Sequence, residues 1–172
     1  MEKIPEVTFK RIEEKKEGIK LKEILTEYAA FIASLGDTFC SKRVINDADN
    51  FPEYYLPPTG CFLVAVVKEK FIGSIGIRKL NETDCELKRM FVLSAYRRLK
   101  LGTTLLEKII DEAKKMGYKK ILLDTISDMT AAIALYKKIG FIERGPYSDE
   151  KWHEGKTLVY MELDLTKYKS AK

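Results

Sequence analysis

Between Glu86 and Leu123 the chain reads strand, basic turn, helix, strand, and that order limits what the rest can build. Glu86 to Val92 has the apolar content of a strand, and Tyr96-Arg97-Arg98-Leu99-Lys100-Leu101-Gly102 is a basic turn. From Thr103 to Met116, Leu105, Leu106, Ile109, Ile110 and Ala113 recur at three- and four-residue steps. That spacing predicts a helix with one apolar stripe, stopped by Gly117. Ile121-Leu122-Leu123 is a short buried strand. A strand-helix-strand crossover within one sheet makes its two strands parallel. The first N–H groups of the helix have no partner inside it, and its dipole favours negative charge there. With Arg97, Arg98 and Lys100 beside those amides, the turn suits a phosphate. A solvated basic turn that merely starts an amphipathic helix accounts for the same residues, so the turn alone leaves both readings open.

The rest of the chain supplies strands and helices around that unit. Val7 to Ile12 alternates as a first strand, and the charged run Glu13 to Glu17 reads as a turn. Leu21, Ile24, Leu25, Tyr28, Ala29 and Ile32 place an amphipathic helix over Ile19 to Leu35, ended by Gly36; a weaker helix spans Cys40 to Phe51. Phe62 to Val67 and Phe71 to Ile77 form a hairpin around Lys68-Glu69-Lys70. Gly73 and Gly76 in its second strand mark either a close approach to the sheet or a bulge. Asp128 can cap a late helix carrying Met129, Ala132, Ile133, Tyr136 and Ile139, which Gly140 stops. Phe141 to Glu143 and Thr157 to Leu165 are the last strands, around the polar loop Ser148 to Gly155. No linker or repeat interrupts the 172 residues, so one domain over 1–172 is expected.

Composition narrows the class. At 45% hydrophobic and 33% charged the chain reads as globular, and a net charge of +5 suits an anionic ligand without arguing for nucleic acid. Cys40, Cys61 and Cys85 are scattered and odd in number, which favours a reducing compartment over a disulfide framework or a metal site. No leader and no long apolar stretch is evident, so the expected location is the cytoplasm, away from any membrane.

Two segments carry a family resemblance. Tyr96-Arg97-Arg98-Leu99-Lys100-Leu101-Gly102, following Glu86 to Val92, resembles the acetyl-CoA motif Q/R-x-x-G-x-G/A of the GNAT superfamily of N-acetyltransferases. Ala132 to Phe141, reading A-I-A-L-Y-K-K-I-G-F, resembles that family's A-x-x-L-Y-x-x-x-G-F segment. Either is weak alone; in order, with a strand-helix-strand unit between them, they are fairly specific. The resemblance implies an α/β (α+β) fold, a single mixed, mostly antiparallel sheet of about seven strands flanked by helices, with a central parallel pair. Lys100 stands where the motif has its first Gly, and Met129, beside Thr130, where the family often has Asn. If the Lys100 position requires positive φ, a side chain there costs on the order of 1 kcal/mol. If not, Lys100 can reach a phosphate.

The resemblance further implies acetyl-CoA as co-substrate, no metal, and a primary amine as acceptor. The acetyl-CoA site falls within 85–141 and the acceptor side within 19–60. The pyrophosphate would lie on the amides of Arg98, Leu99, Lys100, Leu101, Gly102 and Thr103, with Arg97 beside them. The pantetheine would pair with Met90, Phe91 and Val92 as an added strand, and Thr130, Ile133 and Tyr136 are further residues expected to bind the donor. Tyr136 is the expected general acid for the CoA sulfur, a role worth about 10²–10⁴-fold in rate. As a plain sequence feature, on the apolar stripe with Ile133 and Ile139, it reads rather as a core tyrosine. Glu86 is the expected base, its pKa raised toward neutral in a buried slot; Asp124 is a second candidate, and a solvated ion pair with Lys88 or Arg89 is an equal reading of Glu86.

Other chemistry has less support. His153 is the sole histidine and lies in a polar loop, so a histidine-dependent triad is disfavoured. Cys85 reads as a buried structural thiol more readily than as an acyl carrier. No P-loop or G-x-G-x-x-G signature occurs. Asp47, Asp49, Glu53, Tyr54 and Tyr55 offer an acidic and aromatic rim that would suit a cationic amine, or else a solvated loop with inward aromatics. The edge of a final strand leaves room for a homodimer. A non-catalytic acyl-CoA sensor on the same fold is the rival reading; a basic nucleic-acid binder is a weaker one, because the cations do not gather on one helix face.

Overall fold

A computed structural model describes residues 5–149 and 155–170. His153 lies outside the described residues, as does most of the loop expected from Ser148 to Gly155. In chain order the elements are β1 (Thr8–Arg11), α1 (Lys22–Ser34), α2 (Thr38–Asp49), β2 (Cys61–Val67), β3 (Lys70–Lys79) and β4 (Asp84–Val92). There follow α3 (Leu101–Lys115), β5 (Lys120–Ile126), α4 (Thr130–Ile139), β6 (Ile142–Arg144) and β7 (Leu158–Asp164). The strands make one seven-stranded sheet in the order β1-β2-β3-β4-β5-β7-β6. Only β4 and β5 run parallel, joined by the α3 crossover; the other neighbours are antiparallel. This is the mixed α/β sheet that the sequence implies. Among the described residues no helix is long and apolar enough to cross a membrane.

The two faces of the sheet are covered differently. On one face the α3 stripe, with Leu105, Leu106, Ile109 and Ile110 fully buried, packs with Tyr136 and Phe141 against β2–β5 and β7. On the other, Ile24 and Leu25 of α1 and Val44 of α2 pack on Phe62, Val64 and Phe91. A fully buried Leu or Ile contributes on the order of 2 kcal/mol. Gly73 permits the close approach of α3: a Cβ there would meet Leu105 Cδ1 at 2.9 Å. Near Gly76 the sheet also bulges. Ser74 pairs with Phe91 and Gly76 with Lys88, so two steps of β3 face three of β4. The extra residue lies in β4, where Arg89 adopts φ +57°.

Several local expectations change. The charged run after β1 continues into a 3-10 helix over Lys15–Leu21 rather than a simple turn. The basic turn winds into another, Ser94–Leu99. Asp128 does not cap α4: Met129 is the N-cap and makes no side-chain capping bond, while Asp128 pairs with Lys156 at 3.1 Å. Of the two final strands, β7 sits between β5 and β6, and it is the short β6 that forms an edge. The edges are β1 and β6.

Candidate active site

The sheet opens in its middle. β4 and β5 pair at Asp84/Lys120, Cys85/Ile121 and Glu86/Leu122, then separate, although β4 runs on to Val92 and β5 to Ile126. The β4 bulge at Arg89 falls within this divergence. Ser74 Oγ donates to the Arg89 carbonyl at 2.8 Å, which pins the bulge to β3.

A cleft of about 300 Å³ lies along the freed end of β4. It gathers the expected residues Met90, Phe91, Val92, Arg97, Gly102 and Thr130, and adds Phe31 from α1 and Leu135 from α4. Arg98, Leu99, Lys100, Leu101, Thr103 and Ile133 lie outside its lining, and Leu101 is turned into the core. Arg97 Nε donates to the Val92 carbonyl at 3.1 Å, and its guanidinium lies over the rings of Phe31 and Phe91 at 5.0 and 5.6 Å. Lys100 precedes α3 at φ +56°, so this position does require the left-handed region, at a cost of about 1 kcal/mol. Lys100, the N-cap of α3, makes no side-chain capping bond, and the first amides of a helix have no partner within it. A Cβ on Gly102 would touch the ends of Leu135 and Met90 at 3.3 and 3.4 Å, so a bare glycine keeps the floor of the cleft low.

Met90 and Met129 line both the cleft and a smaller enclosed pocket of about 60 Å³. That pocket spans the opening between β4 and β5. Tyr136 enters it from one side; Tyr28, Cys40 and Arg43 enter from the other, with Lys88 and Asp124 on the strands between. Tyr136 is buried against Phe141, ring centroids 5.5 Å apart, so it is both core residue and pocket wall. Burial, aided by the Asp124 charge, holds its hydroxyl above the usual tyrosine pKa, so it stays protonated. Burial likewise pushes the Cys85 thiol up to about 12, and that side chain is fully enclosed, which suits a structural thiol.

Glu86 differs from expectation. Burial alone would raise its pKa, but Lys88 and Arg78 outweigh that and hold it below the usual carboxylate value. Arg78 Nε is 2.7 Å from Glu86, Lys88 Nζ is 2.9 Å away, and Tyr147 Oη donates to it at 2.8 Å. Those three partners favour the charged form of Glu86. Lys88 also reaches Asp124 at 2.6 Å, and Tyr147 Oη lies 3.5 Å from the same oxygen. Arg78, Glu86, Lys88, Asp124 and Tyr147 therefore form one polar floor, and of its two carboxylates only Asp124 lines the enclosed pocket. Sequence reasoning missed Arg78 and Tyr147. Arg78 was detectable, because a hairpin register places it opposite Glu86.

The acidic rim is not assembled. Asp47 is buried on Arg89 at 2.7 Å, Asp49 pairs with Lys22, and Glu53 with Lys15. Tyr55 is core, whereas Tyr54 stays exposed with Arg78 over its ring at 5.2 Å.

Residues 26–141, which carry the opened strand pair and the start of α3, match the model of the Acetyltransferase (GNAT) family. The chain belongs to that family. An N-acetyltransferase of Schizosaccharomyces pombe is 30% identical over 157 residues, 87% of this chain and 94% of that protein. One of Dictyostelium discoideum is 49% identical over 63 residues, 37% of this chain but only 29% of that protein. The structure of a GNAT acetyltransferase from Staphylococcus aureus has 29% identity and a TM-score of 0.71, covering 92% of this chain and 99% of its own. A Salmonella typhimurium structure with its cofactor acetyl-CoA shares the fold, with a TM-score of 0.68 at 20% identity over 96% of this chain and 98% of its own. The GNAT match covers the cleft, the enclosed pocket and both strands of the opening, and stops before Tyr147.

Proposed function

We propose that the protein transfers an acetyl group from acetyl-CoA to a primary amine. The observation that carries this reading is the freed end of β4 inside the sheet, next to the uncapped N-terminus of α3. A pantetheine arm is an amide chain that can bond along such a strand, and a pyrophosphate matches unpartnered helix amides with Arg97 nearby. The fold neighbour from Salmonella typhimurium is a structure with its cofactor acetyl-CoA, which agrees with this choice of donor.

The residues divide the work as follows. Met90, Phe91 and Val92 offer backbone groups to the donor, and Arg97, Arg98, Leu99, Lys100, Leu101, Gly102 and Thr103 surround its phosphates. Thr130 and Leu135 form the opposite wall, and Ile133 packs behind it. A backbone N–H near Phe91 polarises the thioester carbonyl. The amine arrives over the α1–α2 face. Asp124, which lines the pocket, takes its proton, while Glu86 keeps Lys88 and Tyr147 in place. The amine nitrogen bonds to the acetyl carbon as the carbon–sulfur bond breaks, and the Tyr136 hydroxyl protonates the departing sulfur. Tyr136 is protonated at neutral pH, as an acid must be.

A thermal-shift titration with acetyl-CoA, followed by thiol release with a panel of amines, tests the assignment. Stabilisation and amine-dependent release are expected. Stabilisation without release for every amine would make the protein an acyl-CoA sensor, and no stabilisation at millimolar acetyl-CoA would end the reading.

A further inference from the structure

We infer, resting on the acetyltransferase reading above, that Arg97 is a specificity-determining residue for the donor. It covers the Val92 carbonyl until a pyrophosphate draws it away, so a pantetheine arm binds well only when it carries phosphates. The carbonyl concerned is the last of β4. Val92 C=O and Leu93 N–H belong to one trans peptide and point in opposite directions. The Leu93 N–H donates to the Ile72 carbonyl of β3 at 2.9 Å. The Val92 carbonyl is therefore turned away from β3, into the opening where β5 has already separated. An amide N–H of an arm laid along the strand needs such an acceptor. Arg97 Nε holds it, at 3.1 Å.

Arg97 stands in the 3-10 turn that leads into α3, and its guanidinium lies over Phe31 and Phe91 in the cleft that the arm would fill. Its partners there are a neutral carbonyl and two ring faces. A hydrogen bond between ionised groups is roughly twice as strong as one between neutral groups. The carboxylate that lines the cleft, Asp128, is answered by Lys156 at 3.1 Å. A pyrophosphate at the start of α3 therefore outcompetes the Val92 carbonyl, and the planar guanidinium fork turns to it. The exchange frees the carbonyl for the arm and clears the ring faces at the same time. The two ends of the donor thus favour each other's binding through one side chain. A thioester on a carrier without phosphates has to displace Arg97 and gives the guanidinium nothing in exchange.

Acetyl-CoA and S-acetylpantetheine, which has the same arm and no pyrophosphate, separate this role from simple packing. Each is titrated by calorimetry into the full chain and into its Arg97→Ala variant, a change at an exposed position. The variant should bind acetyl-CoA at least about tenfold more weakly than the parent, the scale of one charge-assisted bond. It should bind S-acetylpantetheine about threefold or more tightly than the parent does, the scale of one neutral hydrogen bond, because the carbonyl is already uncovered. Packing alone would weaken both ligands together. S-acetylpantetheine that binds the variant no more tightly than the parent, or acetyl-CoA that binds both alike, overturns the inference and leaves the acetyltransferase reading standing. Acetyl-CoA that fails to bind the parent overturns both.

Discussion

Cutting one member of the Arg89–Asp47 pair tests how the site is held. The two side chains are 6% and 5% exposed and 2.7 Å apart, so neither charge has water to fall back on. Arg89 is also the bulge residue of β4, at φ +57°, with its carbonyl tied to Ser74. Asp47→Leu leaves a guanidinium buried without its counter-ion, and such a loss costs about 3–5 kcal/mol. For a chain of this size each kcal/mol moves Tm by about 2–4 °C, so a fall of roughly 6–20 °C is expected. Replacing both, Asp47→Leu with Arg89→Met, exchanges a desolvated pair for apolar packing and should return to within about 2 kcal/mol of the parent. Urea unfolding of the parent, both single variants and the double variant gives the coupling energy directly. A single variant that costs under about 1 kcal/mol, or a double variant whose loss is the sum of the singles, would refute the claim that each buried charge depends on the other.

Three further outcomes follow from the site. Gly102→Asp should abolish stabilisation by acetyl-CoA with the fold kept, because its Cβ meets only the ends of flexible side chains and its charge opposes the phosphates; calorimetry with undiminished affinity would count against the cleft. Tyr136→Phe should lower kcat by about 10²-fold or more with little change in affinity for the donor; equal turnover would return Tyr136 to a packing role. Glu86 has a depressed folded pKa, so its contribution to stability is fully present above the ordinary value of 4.5 and is lost as pH falls through the folded value. Glu86→Gln should therefore be less stable at pH 7 and lose less on acidification than the parent; parallel urea midpoints from pH 7 to pH 3 would contradict this.

What the sequence made legible was local. The α3 stripe, the glycine after α4 and the strand-helix-strand order follow from spacing alone, whereas the seven-stranded fold and the cleft residues Met90 to Val92 and Gly102 were implied by the family resemblance. Pairings between distant elements were not legible. Asp47 looked like a rim acid because Arg89, its partner, is on β4, and nothing in the composition joins α2 to that strand. The bulge was hidden for a related reason: positive φ is taken by an arginine, where a glycine would have signalled it. Glu86 was assigned a raised pKa because burial was foreseen but Arg78 and Tyr147 were not. Charge neighbours are set by register and by loops, and they decide the sign of a pKa shift.

The divergence of β4 from β5 has a consequence for solubility. Bare strand edges recruit other chains, and proteins protect them with charge, proline or cover. Here the bare stretch lies inside a seven-stranded sheet, with β3 on one side of β4 and helices over both faces. There it is shielded from a second protein chain, and in the proposed function the slender arm of acetyl-CoA takes the place of a neighbouring strand. The molecule thus gains strand-type recognition without the aggregation hazard of an outward-facing edge.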